Sequence, residues 1–313
     1  MFTCIRQSTF AWILRKNNMT EDFSLARANV AILGLGLMGG SLALALRGHC
    51  GSLLGIDSHP PTLELAQSLA VVDRASANPA SLLPEADVII LAAPVPAIET
   101  LLGQLPAWTS HPAIVMDLGS TKRTIVEAMT RLPERFDPIG GHPICGKETL
   151  SLASAEATLF HGAKFCITPL PRTSKRAVSA AHAIIAAIGA HPVTVTAEQH
   201  DRMFASTSHL PYLLSSALAL TAPGEAGPFI GPGFRSASRL AGTPSSMMAG
   251  VLHANRENVL AVLARLQSRL AELESALTSG NEAELTSLLD EARASYLDLI
   301  SASDGSHKTA ATR

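Results

Sequence analysis

Residues 30–46 read VAILGLGLMGGSLALAL, and they decide how the rest of the chain is to be ordered. A short apolar run, Val30 to Leu33, meets Gly34, Gly36 and Gly39 in G-x-G-x-x-G spacing, and an Ala/Leu-rich segment of good helix formers follows. This predicts strand, tight turn, helix. Gly34 permits the turn, Gly36 lets the backbone approach a pyrophosphate, and Gly39 allows the helix to pack closely on the strand. The free N–H groups at the helix start, around Leu37 and Met38, then face the phosphates with the positive end of the helix dipole.

Such a glycine pattern alone is weak, since strand ends are often glycine-rich. The next strand strengthens it: Ser52 to Asp57 is apolar and ends in an acid about 20 residues on, where a dinucleotide site holds the ribose hydroxyls. An acid at a strand end can also simply cap the helix that follows. A carboxylate at Asp57 would repel a 2′-phosphate, so NAD is favoured over NADP.

Beyond Asp57, the reading places a helix over LELAQSLA and a short strand at VVD, residues 71–73. Asp87 to Ala92 and Ala113 to Leu118 are continuous apolar runs suited to strands buried on both faces, the first running on to Pro94 and Pro96. AKFCITP and PVTVT continue the series, with Ala-rich helical stretches between. Alternation of this kind predicts a doubly wound parallel sheet that binds ligands at its carboxyl edge. Past about residue 196 strand-like runs vanish and helical periodicity dominates. The expected fold is α/β: a Rossmann-type doubly wound sheet over 28–196, then an all-helical dimerisation domain over 197–300, between a disordered leader, 1–27, and a disordered tail, 301–313.

The formal net charge of −2 offers no basic footprint for nucleic acid or an anionic membrane. Four cysteines are scattered without CxxC pairing, so neither a zinc site nor a disulfide framework is expected, and the default compartment is the cytoplasm. In the leader, FAWIL is too short for a membrane span or a signal core, and Met19 is the expected start. Wide apolar faces on the C-terminal helices call for cover, and both packing on the sheet domain and a homodimer are expected.

Three stretches carry candidate chemistry. Ser120 and Thr121 follow the strand ending at Asp117, beside the expected nicotinamide pocket, although either could serve only as a helix N-cap. DPIGGHPICGKE, residues 137–148, is expected to be a glycine-flanked loop presenting His142. Cys145 lies three residues on, but no cysteine-hydrolase signature surrounds it. GPGFRSASRLAGTPSS, residues 231–246, sets Arg235 and Arg239 among small residues, which suits a bidentate clamp on a carboxylate as well as an ordinary solvated surface.

Taken in order, GLGLMGGSLALAL, DLGSTK, GGHPICGKE, HDRMFASTSHLP and GFRSASRLAGTP resemble the prephenate/arogenate dehydrogenase family of tyrosine biosynthesis, a similarity spanning Ala28 to Ile300. The resemblance implies a Rossmann domain followed by a helical dimer-forming domain, and oxidative decarboxylation of prephenate with NAD. It implies His142 as catalytic base, from the H-P-x-x-G-x-E motif, Ser120 as its neighbour at the reacting hydroxyl, and Arg239 as the arginine on a substrate carboxylate. Glu148 matches the motif acid, and His209 and Tyr212 follow from the S-H-L-P region.

Departures from the family pattern touch the substrate side. Tyr212 stands where many relatives have a second histidine, Ser236 where they read FRD, and Met248 and Gly250 where they carry Trp and Asp. Arogenate dehydrogenase is therefore the close alternative, and a catalytically silent NAD-binding dimer the alternative of another class. A β-hydroxyacid dehydrogenase would need a catalytic lysine in the helical half, and none stands out between Lys175 and Lys308.

Overall fold

The structure, a computed structural model, describes residues 23–147, 149 and 151–305. Eight strands form one sheet in the order β3-β2-β1-β4-β5-β6-β7-β8: β1 Asn29–Leu33, β2 Ser52–Ile56, β3 Arg74–Ser76, β4 Val88–Leu91, β5 Ala113–Asp117, β6 Phe136–Pro143, β7 Lys164–Pro169 and β8 His191–Thr194. Every neighbouring pair is parallel except β6 and β7. Strand order reverses between β1 and β4, which opens the crevice of a Rossmann sheet beyond their carboxyl ends.

The continuous apolar runs follow from burial on both faces. Val30 and Ile32 of β1, with Val88 and Ile90 of β4, enter one core layer, while Ala31, Leu33, Ile89 and Leu91 enter the other. Helices α1 (Leu37–Leu46) and α5 (Lys175–Ala187) cover the first layer; α3 (Val95–Trp108) and α4 (Arg123–Thr130) cover the second. Between these in sequence lies α2, Pro60–Ser68.

Five features differ from the sequence-based expectations. The short strand after α2 is Arg74–Ser76 rather than residues 71–73, because Val71 and Val72 turn into the core instead of pairing with β2. Residues 137–143, expected as loop, form most of β6: Gly140 and Gly141 leave room for close approach, a Cβ on Gly141 falling 2.5 Å from the Asp117 carbonyl oxygen. β7 runs antiparallel to β6, so His142 pairs with Cys166. At the tail, residues 301–305 continue the last helix instead of being disordered. At the other end, Leu25–Arg27 form a 3-10 turn with Leu25 in the core, where a leader without structure was expected; residues 1–22 and 306–313 lie outside the described residues.

After β8 come α6 (Ala197–Phe204), a π-helical turn (Ala205–His209), α7 (Leu210–Thr221), α8 (Pro232–Ser238), α9 (Ser245–Ala254), α10 (Arg256–Thr278) and α11 (Glu282–Gly305). The chain separates into two compact units after Asn258, later than the composition change near residue 196. The reason is that Met248 and Val251 of α9 complete the core layer under α3 and α4. The second unit, from Val259, consists of most of α10 together with α11, with Leu270, Leu277, Leu289, Leu297 and Ile300 exposed.

Candidate active site

At the β1 turn, Gly34 adopts φ +96°, and a Cβ there would lie 2.3 Å from the Ala92 carbonyl oxygen at the end of β4. Only glycine fits both demands. Gly36 is the N-cap of α1, whose first turn holds no acid, and a Cβ on Gly39 would strike the Gly34 carbonyl oxygen at 1.9 Å. The helix start is thus open to an anion and drawn hard against the strand. Asp57 accepts from the Leu35 amide at 2.7 Å and from the His59 amide at 2.9 Å, so it shapes the glycine turn and braces the turn that leads into α2. Its carboxylate offers about four lone-pair directions, which leaves acceptor capacity for ribose hydroxyls. Pro94, exposed after β4, begins α3 across the crevice. These residues fit a dinucleotide.

Two strands away, at the same sheet edge, the fully buried Lys122 inserts its ammonium between the Asp117 carboxylate and the Gly141 carbonyl oxygen, the latter at 2.7 Å. Asp117 also accepts from the amides of Gly141 (3.0 Å) and Gly119 (2.8 Å). One ion pair therefore ties the end of β5, the turn bearing Ser120, and the β6 residue before His142. Ser120 itself is half-buried, and Thr121 beside it is buried with its hydroxyl lacking a hydrogen-bond partner.

His142 Nδ1 lies 2.8 Å from His200 Nε2, and His200 Nδ1 lies 2.8 Å from an Asp201 carboxylate oxygen. The same carboxylate accepts from the amides of Lys122 (2.7 Å) and Arg123 (2.9 Å), which anchors α6 to the start of α4. Phe204 stacks on His200 at 4.3 Å between ring centroids and tilts against His142 at 4.9 Å. Asn255, at the end of α9, donates its amide to the Asp201 carbonyl oxygen at 2.7 Å and lies 3.1 Å from His209 Nδ1.

Nine residues of regular α-helix would put His200 and His209 on opposite faces, since each residue turns about 100°. The wider π turn between them brings both toward Asp201, one directly and one through Asn255.

Burial, then His200, Lys122 and His209 nearby, hold the His142 imidazole well below the usual histidine range. Burial likewise lowers His200 despite its bond to Asp201, and pushes His209 down to about 4. Burial would raise Asp201, but the hydrogen bonds from His200 and the two backbone amides outweigh it and keep the carboxylate ionised. At neutral pH the site thus holds three neutral imidazoles. The Cys145 thiol is pushed up to about 11 by burial, so no thiolate competes with them.

Of the expected site residues, the structure brings His142 together with the S-H-L-P histidine's network, and places the glycine turn, Asp57, Pro94 and Ser120 along the same sheet edge. Tyr212, in the first turn of α7, is half-buried against the core layer that contains Met248 and Val251. Arg239 is exposed in a 3-10 turn, Arg239–Gly242, that packs on α7. Glu148 lies outside the described residues. Sequence reasoning missed Lys122, His200, Asp201, Phe204 and Asn255. Lys122 lay in the DLGSTK segment and His200, Asp201 and Phe204 in HDRMF, all unassigned, while Asn255, at the end of α9, carried no signal in any motif.

Two family models cover most of the chain: the nucleotide-binding domain of prephenate dehydrogenase matches residues 42–194, and the prephenate dehydrogenase dimerization domain matches 196–291. The chain belongs to the prephenate dehydrogenase family. It is 31% identical over 241 residues to a Bacillus subtilis prephenate dehydrogenase, a match covering 74% of this chain and 65% of that protein's length. Among solved structures it is similar to the prephenate dehydrogenase of A. aeolicus in complex with hydroxyphenyl propionate and NAD+, with a TM-score of 0.81, 29% identity, and coverage of 88% of this chain and all of that one. It is also similar to the Synechocystis arogenate dehydrogenase, with a TM-score of 0.72, 28% identity, and coverage of 87% of this chain and 99% of the other. Family membership accounts for the Rossmann half and for the helices that follow it.

Proposed function

We propose that this protein is an NAD-dependent prephenate dehydrogenase, converting prephenate to 4-hydroxyphenylpyruvate, CO2 and NADH. The carrying observation is His142: a neutral imidazole, held by β6 and by His200, at the carboxyl edge of a sheet whose glycine turn fits a dinucleotide. Bound NAD supplies the hydride acceptor. Gly34, Gly36 and Gly39, with the amides near Leu37 and Met38, hold its pyrophosphate; Asp57 takes the ribose hydroxyls and Pro94 borders the crevice.

His142 accepts the proton of the ring hydroxyl as hydride leaves the carbon that bears it; the ring carboxylate departs as CO2, the electron pair of its C–C bond makes the ring aromatic, and His142 returns the proton to the phenolate oxygen. Ser120 hydrogen-bonds at the reacting hydroxyl. His209, its Nδ1 facing the Asn255 amide, keeps Nε2–H as a donor toward substrate. Arg239 binds a substrate carboxylate, with Tyr212 and Glu148 completing the pocket. Supporting this, a relative of similar fold has been solved with hydroxyphenyl propionate and NAD+.

One observation keeps arogenate as a second substrate reading. Tyr212 stands where the family pattern has a histidine, which weakens ionic recognition of a side-chain carboxylate that both substrates carry and so leaves prephenate against arogenate open. Comparing kcat/KM for prephenate and arogenate with NAD decides between them, and absence of NADH formation with both overturns the dehydrogenase reading.

The protein acts as a homodimer in the cytoplasm. Supporting the dimer are the matched dimerization domain and the exposed leucines of the second unit; supporting the compartment are four cysteines without CxxC pairing.

A further inference from the structure

The hydrogen bonds along Asp201, His200 and His142 fix a proton position that neither motif states. Asp201 is ionised and can only accept, so the His200 nitrogen facing it at 2.8 Å, Nδ1, carries a hydrogen. A neutral His200 then has its lone pair on Nε2, and the His142 nitrogen facing that atom at 2.8 Å, Nδ1, must donate. The lone pair of neutral His142 is left on Nε2.

We infer that His200 and Asp201 are positioning residues for the reaction: they fix the His142 hydrogen on Nδ1, leave Nε2 to take the substrate proton, and stabilise the charge that follows. This rests on the dehydrogenase reading above. In the step itself the substrate O–H bond breaks and a bond from Nε2 of His142 to hydrogen forms, while the two electrons of the C–H bond leave with the hydride. His142 becomes an imidazolium. Its Nδ1–H already points at the lone pair of His200, whose own Nδ1–H points at the Asp201 carboxylate, so positive charge spreads toward a fixed anion.

The surroundings hold this arrangement in place. Asp201 is kept from turning by the amides of Lys122 and Arg123, and the Phe204 ring packs on both imidazoles. The other ionised groups near the relay are Lys122 and Asp117, which neutralise each other, and His209 is neutral. A proton on His200 would reverse the chain: its Nε2–H would donate to His142 Nδ1 and push the His142 hydrogen onto Nε2, closing the base.

The test is nitrogen NMR of the full-length protein labelled with 15N-histidine, together with steady-state kinetics. Wild type should show His142 protonated at Nδ1 at neutral pH. In His200→Phe the His142 hydrogen should move to Nε2 and kcat should fall by on the order of 10²-fold or more, with NAD affinity kept. In His200→Gln, whose amide can accept from His142 and donate to Asp201, the Nδ1 tautomer and part of kcat should return. If His200→Phe does not fold, wild type and His200→Gln still decide. A wild-type His142 protonated at Nε2, or a tautomer and kcat indifferent to His200, overturns the inference. The expected tautomer in a protein that turns over neither prephenate nor arogenate supports the relay geometry and overturns the dehydrogenase reading alone.

Discussion

The ammonium of Lys122 and the carboxylate of Asp117 meet with neither side chain exposed, and the same ammonium holds the carbonyl of Gly141, the residue before His142. Replacing Lys122 by Met keeps much of the volume but strands a buried carboxylate and a buried carbonyl. The expected cost is about 3–5 kcal/mol, measurable as a lowered urea midpoint. Joint replacement of Lys122 by Met and Asp117 by Leu should cost less in stability than the single change while still impairing turnover.

His142→Asn removes the proposed base without enlarging the side chain. kcat should fall by on the order of 10²–10⁴-fold. Calorimetric NAD binding should stay near wild type, because the glycine turn and Asp57 lie elsewhere along the sheet. Unchanged kcat would remove His142 from the role.

The pH dependence follows from three imidazoles whose folded values lie below the unfolded one, near 6.5. Between the folded and unfolded values the unfolded chain binds more protons, so stability is full above about 6.5 and declines as pH falls. For His209 that decline extends down to about 4. kcat/KM should be flat through neutrality on its acid side and drop only well below pH 6.5. A midpoint for kcat/KM at or above 6.5 would contradict a base held neutral by burial.

Gly39→Ala sets a methyl carbon 1.9 Å from the Gly34 carbonyl oxygen, which is backbone and cannot swing aside. The α1 helix must then lift from the strand. We expect a loss of at least about 2 kcal/mol of stability, in the range for overpacking, and NAD affinity reduced more than tenfold by calorimetry. Gly48→Ala, where no atom lies within 4 Å but φ is +78°, should cost only the smaller penalty of a left-handed alanine.

Arg239→Ala tests the carboxylate clamp. A charge-assisted hydrogen bond contributes about 1.5–3 kcal/mol, so KM for prephenate should rise roughly 10- to 100-fold while NAD affinity is spared. Arg239→Lys should recover little, because an ammonium cannot reproduce the planar fork. An unaffected KM would count against the clamp.

The sequence by itself determined the sheet domain and its nucleotide turn, because both are written in local terms. Apolar runs of strand length, glycines at fixed spacing and an acid about twenty residues on act through backbone conformation and short-range packing. His142 was legible as a candidate for the same reason, through a compact motif. What only the tertiary structure decided was the environment that equips it. His142 and His200 are separated by 58 positions, and the Lys122 amide and Asp201 by 79. That Gly140-Gly141-His142 is strand and not loop depends on the antiparallel β7 beside it and on a buried lysine beneath it, both non-local. Proton positions depend on who faces whom at 2.8 Å. No spacing along the chain encodes that, and the fold supplies it by bringing α6 against the end of the sheet.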